Sequence, residues 1–194
     1  SFFKAIALFF AIIGVMRVVA GTFGGRPLKT LDGKITRPTT DKVKGAIFNM
    51  IGPYFDGGRV LDLFSGSGSL AIEAISRGMD EAVLVERNRQ AQAIITENIK
   101  MTKAQNQFHL LKMDANKAIG VLKGPFDLVL LDPPYAKEEI IKNITDLEDA
   151  GLLSEEVMIV CESDKAVDLP EEISRFGIWK QKTYGISKVT VYVR

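Results

Sequence analysis

The residues best equipped for chemistry are Asp132-Pro133-Pro134-Tyr135. They follow Phe126-Asp127-Leu128-Val129-Leu130-Leu131, an apolar run of strand length. Proline cannot continue a hydrogen-bonded ladder; it fixes its own φ and restricts the residue before it. The strand is therefore expected to stop in a stiff turn that carries a carboxylate, backbone carbonyls and an aromatic ring. Such a turn can hold a planar, amine-bearing ring, with acceptors at the ring's edge and the phenol against its face. The plainer alternative is a strand-ending turn with a surface tyrosine, and a second motif upstream weighs against it.

That motif begins with Arg59-Val60-Leu61-Asp62-Leu63-Phe64, which reads as a buried strand, and continues through Ser65-Gly66-Ser67-Gly68-Ser69-Leu70-Ala71 into a helix. Glycines at 66 and 68 let the backbone pass close to a ligand and expose helix N–H groups to it. A second buried strand, Ala82-Val83-Leu84-Val85, ends at Glu86, twenty positions past Gly66. An acid there can accept both ribose hydroxyls of an adenosine. The stretch Gly66 to Ala71 also matches the dinucleotide fingerprint, so a nicotinamide-dependent oxidoreductase is an alternative. Against it, Asp62 would repel a pyrophosphate but suits the ammonium group of a methionine moiety, and no residue is placed for hydride chemistry. After a helix around residues 90–101, the strand from Phe108 to Lys112 leads to Met113-Asp114-Ala115. Asp114 can accept from an adenine amino group or simply cap a helix. His109, the single histidine, has no partner in view and reads as structural.

These groups need a scaffold that brings strand ends together. Strand and helix alternate from residue 59 to about residue 148, which predicts a parallel sheet wrapped by helices, with ligands at the carboxyl ends of its strands. Further strands are expected around Val157–Cys161, Ile178–Tyr184 and Lys188–Val193, the last two forming an antiparallel hairpin through Gly185. The expected fold is α/β, with a mixed sheet of about seven strands.

The 194 residues suffice for one domain with a core, and 46% hydrophobic with 25% charged residues is ordinary for a globular chain. Net charge is +1, so a nucleic-acid partner must be argued locally. Residues 16–45 carry seven cations against two acids. Such a patch neutralises phosphates, although a merely solvated basic surface is the alternative. Within it, Thr39, Thr40 or Asp41 can cap a helix whose apolar stripe is Val43, Ile47, Met50 and Ile51. The lone Cys161 forms no internal disulfide and reads as a buried strand residue, and no Cys/His cluster suggests a metal. Residues 1–15 are apolar but too short to span a bilayer as a helix. They have the length of a signal-peptide core, yet are read as an extension ahead of a start at Met16 in an otherwise cytoplasmic enzyme. The expected organisation is a leader (1–15), a basic arm (16–58) and a core domain (59–194).

Taken together, Arg17-Val18-Val19-Ala20-Gly21, Arg37-Pro38-Thr39-Thr40-Asp41, the Asp62 to Gly68 loop, Glu86, Asp132 to Tyr135 and Cys161-Glu162-Ser163 resemble one family. From Met16 to the C-terminus the chain is similar to the class I S-adenosylmethionine-dependent methyltransferases, within them to the RsmD-type small-subunit ribosomal RNA guanine-N2 methyltransferases. The resemblance implies a Rossmann-like sheet and S-adenosylmethionine held by Asp62, Ser65, Gly66, Gly68, Glu86, Arg87, Asp114 and Ala115. It implies catalysis at Asp132, Pro133, Pro134 and Tyr135, and ribosomal RNA, naked or protein-bound, as partner. Arg26, Arg37, Lys42 and Lys44 are the expected phosphate contacts. A DNA adenine-N6 methyltransferase shares Asp-Pro-Pro-Tyr and stays open as an alternative, as does a non-catalytic RNA-binding assembly module.

Overall fold

A computed structural model describes residues 16–31 and 41–194. The apolar leader, Arg37, Thr39 and Thr40 lie outside the described residues. Glycine turns let the chain double back at once, as a hairpin of β1 (Met16–Arg17) and β2 (Pro27–Leu28). Its loop packs on the end of a later helix. Gly21 has φ +86°, and a Cβ there would lie 1.8 Å from the Ser76 carbonyl oxygen, so no side chain fits.

Next comes α1 (Asp41–Ile51), whose buried residues are Lys44, Gly45, Ile47, Phe48 and Ile51. The expected stripe is thus rotated: Val43 and Met50 are only partly buried, and Lys44 lies within the buried face. The remaining elements are β3 (Arg59–Asp62), α2 (Ser69–Ser76), β4 (Glu81–Val85), α3 (Arg89–Thr102), β5 (Phe108–Leu111), α4 (Ala115–Ile119), β6 (Phe126–Leu131), α5 (Ala136–Asp149), β7 (Leu153–Asp164), β8 (Glu172–Ile173), β9 (Phe176–Tyr184) and β10 (Ser187–Val193).

The sheet order is β5-β4-β3-β6-β7-β10-β9-β8. The first five strands are parallel; β10 runs antiparallel to both β7 and β9. The expected mixed sheet is present, with eight strands against an expectation of about seven. The extra one, β8, is a two-residue edge strand, too short to leave a periodic signal. Apolar side chains fill both faces of the central strands, as a sheet covered on both sides requires. Val60, Leu84 and Leu128 join α2, α3, α1 and the hairpin in one core, while Leu61, Val83 and Val129 join α4 and α5 in the other. The basic arm's hairpin and helix therefore share a core with the sheet.

A buried ionic group fixes that union. Glu73 on α2 accepts from the backbone N–H groups of Val19 (2.8 Å) and Ala20 (3.1 Å) and from Arg77 Nε (2.8 Å), with Lys44 Nζ at 3.3 Å. Removing one member of such a buried pair typically costs about 3–5 kcal/mol, because the other charge is left uncompensated. His109 also has a neighbour that the sequence did not reveal: its Nε2 lies 3.4 Å from Glu81 Oε1 on the adjacent strand.

Candidate active site

Parallel strands deliver their carboxyl ends to one edge of the sheet. Asp62 closes β3, Glu86 follows β4, Asp114 follows β5 and Asp132 follows β6. Gly66, Glu86, Arg87, Asp114, Ala115, Asp132, Pro134 and Tyr135 line one cleft of about 370 Å³. That volume suits a nucleoside-sized ligand. The Asp132 corner and the serine–glycine turn thus open onto the same space.

The loop is built to be held from two sides. Gly66 has φ +58°, and a Cβ there would meet nothing within 4 Å, so the backbone faces open space. Its N–H donates to Glu86 Oε1 at 2.9 Å, while Glu86 Oε2 accepts from Asn88 N at 2.9 Å. Gly68 is also left-handed, at φ +81°, and starts α2. Beneath the loop, Asp62 is 3% exposed and accepts from Ser65 Oγ at 3.0 Å. Burial pushes its carboxyl up to about 7, helped by the nearby charges of Glu86 and Asp132 and opposed by the Ser65 hydrogen bond. Asp62, Ser65 and Gly68 do not line the cleft.

On the opposite wall, Asp114 is the N-cap of α4; its Oδ1 accepts from Asn116 N (2.7 Å) and Lys117 N (3.1 Å). It is a helix cap and a cleft residue at once. The Asp132 corner leads into α5, where Tyr135 takes the N-cap position with its N–H bonded to Glu139 Oε2 at 3.0 Å. Tyr135 is 74% exposed. Pro133 is buried at the back of the corner and lines a second hollow beyond it.

Several lining residues escaped the sequence reading, Asn116, Glu139, Lys142 and Asn143 among them. Asn143 matters most. It is 2% exposed, and its Nδ2 has no hydrogen-bond partner. A signal was present: Asn143 falls among Ile140, Ile144 and Leu147 on the apolar stripe of α5. A polar residue on such a stripe asks for a partner.

The expected phosphate contacts separate. Lys42 is exposed. Arg26 is half-buried: its guanidinium lies over the Phe23 ring at 5.3 Å and donates to the carbonyls of Met101 (3.2 Å) and Thr102 (3.3 Å). Lys44, expected at a phosphate, is instead a core residue. It is 0% exposed and donates to Arg17 O (2.5 Å) and Ser69 Oγ (3.0 Å), so it cannot reach a phosphate. Burial lowers its pKa, an effect that Glu73 opposes.

Among the described residues, no helix is long and apolar enough to cross a membrane, and no group of three His, Cys, Asp or Glu side chains could hold a metal ion. Cys161 is buried in β7.

Comparison with known proteins gives this geometry a context. The model of the family described as "Conserved hypothetical protein 95" matches residues 16–193. A Bacillus subtilis (strain 168) protein named "Putative rRNA methyltransferase YlbH" is 42% identical over 180 residues, covering 91% of this chain and 98% of its own. "Ribosomal RNA small subunit methyltransferase D" of Escherichia coli (strain K12) is 32% identical over 181 residues, covering 93% and 91%. The solved structure titled "Putative methyltransferase yhhF from Escherichia coli" superposes with a TM-score of 0.79 at 31% identity, covering 93% of this chain and 98% of that one.

Proposed function

Because the chain belongs to the family described as "Conserved hypothetical protein 95" and carries a class I methyltransferase fold, we propose that it methylates the exocyclic N2 amine of a guanine in small-subunit ribosomal RNA. The observation that carries this reading is the shared cleft, in which the Asp132 corner meets the Gly66 turn, Glu86 and Asp114. The names of the relatives favour RNA over the DNA adenine alternative. S-adenosylmethionine suits the cleft: open space above the left-handed Gly66, acids at successive strand ends and a buried donor at Asn143 match a nucleoside linked to a cationic amino acid. When bound, it would supply a methyl group on a positively charged sulfur, which leaves as a thioether carrying the C–S electron pair.

The chain's own residues do the rest. Glu86 accepts from ribose hydroxyls, Asp114, Ala115 and Asn143 border the adenine, and Arg87 covers the cleft from the β4 end. Asp62 and Ser65 set the loop and place a carboxylate beneath the methionine end. The acceptor amine is a poor nucleophile, since its lone pair is delocalised into the base. Hydrogen bonds from its N–H groups to the Asp132 carboxylate and the Pro133 carbonyl pull the nitrogen toward tetrahedral geometry. They also stabilise positive charge as it develops. Holding the nitrogen in line for attack supplies much of the remaining acceleration. Once the N–C bond forms, the amine carries an acidic proton that it loses readily, so no strong base is required. Tyr135, exposed at the corner, stacks on a base flipped out of its helix. Lys42 and Arg37 contact the RNA backbone.

The test is transfer of a tritiated methyl group from S-adenosylmethionine to under-methylated small-subunit RNA, offered naked and as ribonucleoprotein, with the modified base identified by mass spectrometry. Methyl-N2-guanine is the expected product. Label on adenine, or none on either substrate, would overturn the reading.

A further inference from the structure

Methyl transfer needs two sites that meet at the nucleophile, and the Asp132 corner has a hollow on each side. Beyond the cofactor cleft lies a second hollow of about 400 Å³. Asp132 and Pro134 line both. The other walls of the second include Pro133, Asp164, Val167 and Ile186. Pro133 belongs to the corner itself, whereas Asp164, Val167 and Ile186 come from the end of β7, the turn after it and the tip of the β9–β10 hairpin. The turn is held in place: Ala166 N donates to Asp164 Oδ1 (2.9 Å), Val167 N to Asp164 O (3.0 Å), and Lys165 N to Ile186 O (2.9 Å). Gly185, with φ +60°, turns the hairpin so that Ile186 stands 60% exposed.

We propose that this second hollow receives the acceptor guanine, and that Asp164 reads its N1–H. The inference rests on the guanine-N2 activity proposed above and adds the residue that selects the base. Guanine presents adjacent donors, N1–H and the N2 amine, along its Watson–Crick edge. Adenine presents a bare N1 lone pair there. A hollow with a carboxylate for the amine, Asp132, and a second carboxylate, Asp164, matches guanine and repels the adenine lone pair. Val167 and Ile186 give one face of the base an apolar surface and leave the other to Tyr135, which flanks the hollow between Pro134 and Ala136.

2-Aminopurine separates the two carboxylates' roles, because it keeps the N2 amine but has a lone pair in place of N1–H. The experiment compares methyl transfer to an RNA oligonucleotide bearing guanine, or 2-aminopurine, at the mapped acceptor position. A site built to bond a donor rejects the analogue that lacks it, so the wild-type protein should favour guanine by roughly 10- to 100-fold in kcat/KM. Asp164→Asn keeps an oxygen for Ala166 N–H but loses the charge and offers an amide donor to the base. It should collapse that preference to within about three-fold, with cofactor affinity by calorimetry unchanged. An undiminished preference in the variant would overturn the role of Asp164 while leaving the proposed function intact. If the wild-type protein methylates no RNA guanine, both proposals fall.

Discussion

Gly66 and Glu86 are joined by a 2.9 Å hydrogen bond from the Gly66 amide to the Glu86 carboxylate, so the loop after β3 is tied to the end of β4. One acid thus shapes the glycine turn and faces the cleft. Glu86→Ala should weaken S-adenosylmethionine binding by roughly 10- to 100-fold, the size of a lost charge-assisted interaction. Glu86→Gln, which keeps an acceptor for Gly66, should lose less. Isothermal titration calorimetry on the two variants measures the difference, and equal losses would mean that the loop tie contributes nothing.

Asp132 follows β6 directly and lines both hollows. In the proposed mechanism its carboxylate acts on charge that develops only during transfer, so Asp132→Ala should lower kcat by about 10²–10³-fold. Cofactor affinity should change little. Tyr135→Phe should keep most of the activity that Tyr135→Ala loses, since stacking needs the ring and not the hydroxyl. Single-turnover methyl transfer with saturating cofactor reads both effects.

Asp62 holds its proton up to about pH 7, chiefly because it is buried. In the unfolded chain the same group ionises near its ordinary value of 3.8. Its contribution to the stability of the ligand-free protein is therefore fully present below that value. It is lost as pH rises through about 7. Cofactor binding should show the opposite trend, because a cationic amino group favours the ionised carboxylate. Affinity measured from pH 6 to pH 7.5 should rise for the wild-type protein and stay flat for Asp62→Asn.

Asn143 buries an amide donor without a partner beside the cleft. An unmet donor of this kind costs about 1–3 kcal/mol. Asn143→Leu should therefore raise the melting temperature of the ligand-free protein by a few degrees. On the proposed reading the same change should weaken cofactor binding, because the ligand would take up this donor. Differential scanning fluorimetry with and without S-adenosylmethionine reads both signs, and a variant that binds the cofactor as tightly as wild type would show that Asn143 is only structural.

The parts of this protein that depend on neighbours along the chain were legible from its residues. Apolar runs marked the strands, alternation with helices implied parallel pairing, and parallel pairing put Asp62, Glu86, Asp114 and Asp132 at one edge. The diproline at 133–134 and the glycines at 66 and 68 marked the turns, because backbone restriction and backbone freedom are properties of single residues. What only the tertiary structure decided were the contacts between distant segments. Lys44 looks like one more cation in a basic run, yet Glu73 on another helix draws it into the core. Asn143 gains its meaning from the cleft wall beside it, and the second hollow exists because β10 inserts between β7 and β9 and brings Ile186 beside Asp164. Periodicity records which face of an element is apolar, but the partner of each polar group depends on which elements the sheet order places side by side.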